Sequence, residues 1–235
     1  MYQQNATSLR GYAGAGSNAV DARARFIVRT YNHLFGAIAL FALIEVGLFA
    51  TGIAPAIAMA MSRSWFLVLG GFMLVGWLAS RTAHTATSVG AQYAALVGFV
   101  FAEALMFTPL LVIAEMNAPG ALQSAALTTF VGFAALTAIA FVSKRDFSFL
   151  RTFLYWGSVV ALLLIGASML FGFSLGTLFG VAMVGFAGAA ILYDTSNVLR
   201  EYPTDRYVAA ALQLFSSVAL MFWYVLRLFM GSRDS

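Results

Sequence analysis

The sequence predicts an all-α integral membrane protein, a bundle of seven transmembrane helices with a cytoplasmic N-terminus and a C-terminus outside. Three observations carry this. Of 235 residues, 62% are hydrophobic and 9% charged, whereas soluble domains average roughly 45–50% and about 25%. So few charges cannot coat a soluble surface of this size. Seven long apolar runs follow one another, most of them near the ~20 residues that cross the hydrocarbon core of a bilayer. The thirteen basic residues divide unequally between alternate loops, ten against three, and the richer side is expected in the cytoplasm.

Each segment follows in order. Residues 1–29 are polar and small, with Arg10, Arg23, Arg25 and Arg29. They lack the apolar core of a signal peptide, and are expected to form a flexible cytoplasmic tail, with a short amphipathic helix from Val20. The transmembrane domain is expected over 30–231, with a short tail over 232–235. The runs are Tyr31–Ala54, Trp65–Ser80, Val89–Ala114, Gly120–Val142, Phe149–Phe171, Ser174–Tyr193 and Tyr207–Met230. Only Gly172 and Phe173 separate the fifth from the sixth, so six spans plus a re-entrant segment is the alternative. Seven is preferred because the last run is long enough to cross. Aromatic residues near run ends, among them Trp65, Trp156, Trp223 and Tyr207, suit an interfacial belt.

The composition excludes several functions. Without cysteine there are no disulfides and no thiolate metal sites. The two histidines, His33 and His84, exclude a His-rich centre and read as interfacial residues. The single lysine, Lys144, sits in a loop, where it cannot hold retinal. No late span contains the histidine that an intramembrane serine protease needs, and paired in-span aspartates are missing. There is no phosphate-binding glycine loop, and the scattered basic residues form no nucleic-acid stripe. No enzyme is predicted, and no metal site is assigned.

Ionisable groups inside spans cost on the order of 2.5–3.5 kcal/mol by insertion scales. Glu45, Glu103 and Asp194 therefore invite a functional reading. Asp194 ends the sixth run. Gly172, Gly176 and Gly180 precede it with small-xxx-small spacing, which lets a neighbouring helix approach closely. The eighteen residues from Gly176 to Asp194 make about five turns, so Asp194 falls on the glycine face. The last span presents Gln213, Ser216 and Ser217 at i, i+3 and i+4, one polar face. Arg81, ending the second span on the same side, is expected to neutralise Asp194. Two roles stay open for Asp194: a proton- or cation-sensitive carboxylate at the inner mouth of a pathway, or a structural Asp–Arg latch. Glu45 reads as a bond to a neighbouring helix. Glu103 lies six residues before Pro109, which frees a backbone carbonyl, so it lines a cavity or serves structure.

Three segments carry a family resemblance. Lys144-Arg145-Asp146-Phe147-Ser148-Phe149-Leu150, Ile191-Leu192-Tyr193-Asp194-Thr195-Ser196-Asn197 and Ala210-Ala211-Leu212-Gln213-Leu214-Phe215 resemble motifs of the Bax inhibitor-1 family. The resemblance covers residues 30 to 230. It implies six helices around a central one and a pH-sensitive calcium leak. The leak would be controlled by aspartates on the last two spans and an arginine on the second. Asp194 matches the first aspartate, and Arg81 matches the arginine approximately. Ser217 stands where the second aspartate is expected; it can donate to Asp194 but cannot share a proton with it. The serine, the Thr195-Ser196-Asn197 triplet and the Ser232-Arg233-Asp234 end also resemble the bacterial YccA-type branch. That branch implies a bacterial inner-membrane protein that is a substrate and modulator of the membrane protease FtsH, gripped by its N-terminal tail. Calcium, as a transported ion, and FtsH, as a partner, are the two expectations drawn from the resemblance.

Overall fold

The structure, a computed structural model, describes residues 2–143 and 145–231, and leaves out the side chains of 2–19 and 65. Lys144, the aromatic ring of Trp65, the side chain of Arg10 and the expected tail at 232–235 therefore lie outside the described residues. The described chain forms eight helices: α1 (Tyr2–Ala50), α2 (Ala54–Ser62), α3 (Trp65–Thr85), α4 (Val89–Asn117), α5 (Ala121–Ser143), α6 (Leu150–Phe171), α7 (Gly176–Arg200) and α8 (Tyr207–Gly231). Seven of them are long and apolar enough to cross a membrane; α2 is the exception. Large apolar side chains such as Leu67, Leu163 and Leu178 lie on the outer surface. A soluble protein does not expose so much apolar area, and lipid is the solvent that suits it. The protein is a multi-pass membrane bundle.

Turn chemistry sets the boundaries. Gly52, Gly120, Gly172 and Gly176 all adopt positive φ. Gly172 at φ 73° closes α6, and its N–H bonds the carbonyl of Ser168. The chain then turns and re-enters at Gly176, so the short fifth-to-sixth connection joins two full helices and no re-entrant segment forms. This corrects the expected glycine stripe. Gly172 and Gly176 serve backbone turns, where a side chain would be strained, and Gly172 is not on the helix of Asp194. Gly180 alone of the three packs closely: a Cβ there would lie 3.0 Å from Cδ2 of Leu228 on α8.

Two further differences have local causes. The nine-residue α2 begins Ala54-Pro55, with proline in its first turn where no amide donor is needed. It is too short to register as a span, and it packs on α4. Helix α1 is apolar enough to span from Val20, ahead of the expected boundary at residue 30. Phe26 and Thr30 are buried, so the stretch from Arg23 onward belongs to the packed domain.

The centre of the bundle is α8, of whose most apolar window 67% is buried, with 61% for α4 and 6% for α6. Among the described residues, helices α1, α3, α4, α5 and α7 pack directly on α8, while α6 packs on α7 and faces α8 across a cavity. The interface at α8 is aromatic: Phe107 stacks on Phe222 at 5.6 Å and meets Trp223 edge-on at 5.0 Å.

Candidate functional site

The hairpin of α7 and α8 builds the site. Its turn, residues 201–206, contains Pro203, which cannot continue a helix, and Arg206 N–H bonds back to the Pro203 carbonyl. The two helices then run antiparallel in contact. Asp194 on α7 comes opposite Ser217 on α8, and Ser217 Oγ donates to Asp194 Oδ2 at 2.5 Å. Both are buried, at 2% and 5% exposure. Gln213, one turn from Ser217, also lies in hydrogen-bonding range of the carboxylate. Three residues singled out in the sequence are thus brought together.

Arg81 is not brought to them. Its exposed guanidinium lies over the Trp77 ring at 5.2 Å, and Asp194 has no ion pair among the described residues. The reason is packing: among the described residues α3 touches α2, α4 and α8 but not α7, and Arg81 turns back onto Trp77 of its own helix. The expected Asp–Arg latch is absent from this structure.

Other groups close the site. The α5–α6 loop folds on an Asx turn, with Ser148 N–H on Asp146 Oδ1 at 2.8 Å, and Phe147 N–H reaches Ser196 Oγ at 3.3 Å. The three segments that carry the family resemblance therefore converge around Asp194. Tyr31 of α1 faces Thr195 on α7 and Thr137 on α5. At the turn, Tyr202 stacks on Phe26 at 6.4 Å, and its hydroxyl meets His84 Nε2 at 3.1 Å. Arg23 donates to the carbonyls of Tyr202 at 2.6 Å, Arg200 at 3.3 Å and Val198 at 3.4 Å. These are acceptors that the end of α7 leaves unpaired. Burial, then the nearby Asp194 carboxylate, pushes the Tyr202 phenol above its ordinary value, so it stays protonated. Arg23 and Tyr202 carry no in-span signature, and sequence reading passed over them as site residues.

A cavity of about 1090 Å³ lies between α3, α4, α6, α7 and α8. It runs along α8 from Gly231 to Gln213, about 27 Å at 1.5 Å per residue. Asp194 and Ser217 lie behind its Gln213 end. Glu103 lines it, 7% exposed, with no hydrogen-bond or ion-pair partner among the described residues. Glu45 lies elsewhere, between α1 and α4, where Thr108 Oγ1 approaches its two oxygens at 3.5 and 3.4 Å. No group of three or more His, Cys, Asp or Glu converges among the described residues. Any calcium at this site would be cargo, held by a single carboxylate with neutral oxygens.

Comparison with known proteins gives the family. A family model described as "Inhibitor of apoptosis-promoting Bax1" matches residues 23–234. An uncharacterized membrane protein of Vibrio cholerae is 26% identical over 200 residues, 84% of this chain and 85% of that protein. Bax inhibitor 1 of Schizosaccharomyces pombe is 30% identical over 174 residues, 70% of this chain and 61% of that protein. Protein LIFEGUARD 4 of Arabidopsis thaliana is 31% identical over 137 residues, 55% of this chain and 54% of that protein. The chain thus spans less than two thirds of the length of these last two relatives.

Proposed function

The chain belongs to the Bax inhibitor family, and from that premise we propose that it is a cation leak whose inner gate is Asp194. The observation that supports this most is the buried 2.5 Å bond from Ser217 to Asp194, set just behind the Gln213 end of the long cavity. In this reading the N-terminus is cytoplasmic, the membrane is a bacterial inner membrane, and the α7–α8 turn faces the cytoplasm. A cation entering the cavity meets Gln213 and Ser216, then the carboxylate. Asp194, Ser217 and Gln213 offer hard oxygens, which suit calcium better than transition metals. In the closed state Ser217 and Gln213 bond the carboxylate and occupy the oxygens that a cation would use. Tyr202, held by Arg23 and His84, blocks the exit. Conduction requires the Ser217 bond to break and the turn to lift.

Calcium flux into proteoliposomes at pH 6 and pH 8 tests this, with wild type beside Asp194→Asn. A leak that depends on pH, and loses that dependence in the variant, supports the gate. Flux equal to that of empty vesicles at both pH values refutes it. The polar stretch ahead of Val20 favours a second reading, a substrate and modulator of FtsH. Deleting residues 1–19 should then lengthen the protein's half-life in cells that contain FtsH, and an unchanged half-life counts against it.

A further inference from the structure

We propose that the cavity beneath α3 is a binding site for amphipathic organic cations, entered sideways from the membrane and anchored by Glu103. Its lining comes from α3 on one side and α6–α7 on the other, yet α3 makes no contact with α6 or α7 among the described residues. The gap between them is a lateral cleft whose floor is α4 and α8. A volume of about 1090 Å³ lies just above the ~300–1,000 Å³ range of small-molecule sites.

The walls select the ligand class. Phe72, Phe99, Phe107 and Trp223 line the cavity with Met73 and Ile165, so its surface is mainly aromatic and aliphatic. Aromatic faces attract cations through the negative face of the ring quadrupole. Glu103 supplies the one acidic group in the lining; Arg227 is the one basic group, near the Gly231 end. The Phe99–Phe215 and Phe107–Phe222 contacts at 6.2 and 5.6 Å set Glu103 level with Ala219, about two turns from Arg227 along α8. A carboxylate buried in a bilayer without a partner is costly, and a bound cation removes that cost.

The alternatives fit less well. Calcium takes 6–8 oxygen ligands, whereas no hydroxyl, amide or carbonyl hydrogen-bonds Glu103 among the described residues and four aromatic rings line the same cavity. An anion meets a carboxylate. A neutral lipid tail fills the walls but leaves Glu103 unpaired. A monovalent cation whose charge is wrapped in apolar groups satisfies both the walls and the acid.

The test is equilibrium binding to the full chain in lipid nanodiscs with no ion gradient, so its outcome is separate from that of the flux experiment. The probe is tetraphenylphosphonium, and triphenylphosphine oxide is its neutral counterpart. We expect saturable binding above empty nanodiscs, at least tenfold weaker for the neutral compound and at least tenfold weaker in Glu103→Gln. Glu103→Asp should restore part of the loss. No saturable binding overturns the proposal, and so does equal affinity for both compounds, which would make the cleft a slot for lipid tails. The comparison of two probes on the wild-type protein keeps the test decisive even where Glu103→Gln fails to fold.

Discussion

Removing the Ser217 hydroxyl should loosen both the fold and the gate. Ser217→Ala keeps the Cβ and deletes only Oγ, so nothing clashes and only a small void remains. What is lost is one hydrogen bond, 2.5 Å long, between side chains 5% and 2% exposed. Hydrogen bonds to charged groups contribute about 1.5–3 kcal/mol in soluble proteins. Bonds between helices in a bilayer average about 0.6 and reach about 1.7. Gln213 still faces the carboxylate and takes up part of the loss. We therefore expect a destabilisation of about 1–2 kcal/mol, a factor of about 5–30 in the unfolding equilibrium. The assay is reversible unfolding in mixed micelles, arranged as a double-mutant cycle of Ser217→Ala, Asp194→Ala and the pair. Ser216→Ala serves as control, since it removes the same atom from a position facing the cavity; its effect should stay within about 0.5 kcal/mol. A coupling energy below about 0.5 kcal/mol, the usual error of additivity, would refute the assignment of Ser217 as the gate's hydrogen-bond donor. In proteoliposomes Ser217→Ala should raise the leak, because the closed state loses the bond that must break for conduction.

Two further outcomes follow from the groups around the turn. Arg23→Ala strips three carbonyls of their donor and should cost about 1–2 kcal/mol; limited proteolysis near residue 20 should accelerate, and an unchanged cleavage rate would show that α1 is not held there. Tyr202 titrates above its ordinary value when folded, so above about pH 10 the unfolded chain releases a proton that the folded chain keeps. Stability is then fully present below pH 10 and falls as pH rises beyond it. Tyr202→Phe should make that alkaline fall shallower in unfolding measured at pH 8 and 10.5, and equal slopes would contradict the burial of the phenol.

Much of the architecture was legible because a membrane solvent leaves a strong one-dimensional signal. Seven of the eight helices coincide with apolar runs to within a turn or so at most ends, since each must satisfy its own backbone in hydrocarbon. The trio Asp194, Gln213 and Ser217 was legible for a related reason. Polar groups are rare in spans, and those on adjacent antiparallel helices have few partners but one another. Helix α2 was not legible, because nine residues of small apolar side chains carry no length signal. Arg81 was misplaced because being on the same side of a membrane says nothing of which helices touch. Only the packing of α3 away from α7 decides that. The glycine stripe failed through a similar confusion. A spacing of four fits a helix face, but Gly172 and Gly176 are spent on two turns with positive φ.

The groups that the sequence hid are the ones that make the site a closed one. Asp194 and Ser217 bond within a hairpin, a short-range fact, whereas Arg23 and His84 reach Tyr202 across |i−j| separations of 179 and 118 residues. A carboxylate bonded by Ser217 alone would describe a latch inside two helices. With α1 and α3 both fastened to the turn that covers it, the carboxylate is linked to elements that also border the rest of the bundle. Helix α3 forms one wall of the lateral cleft and, through His84, holds the lid over Asp194. In this fold the helix that walls the cleft at Glu103 is thus joined to the turn beside Asp194 through a histidine and a tyrosine that neither hydropathy nor motif would select.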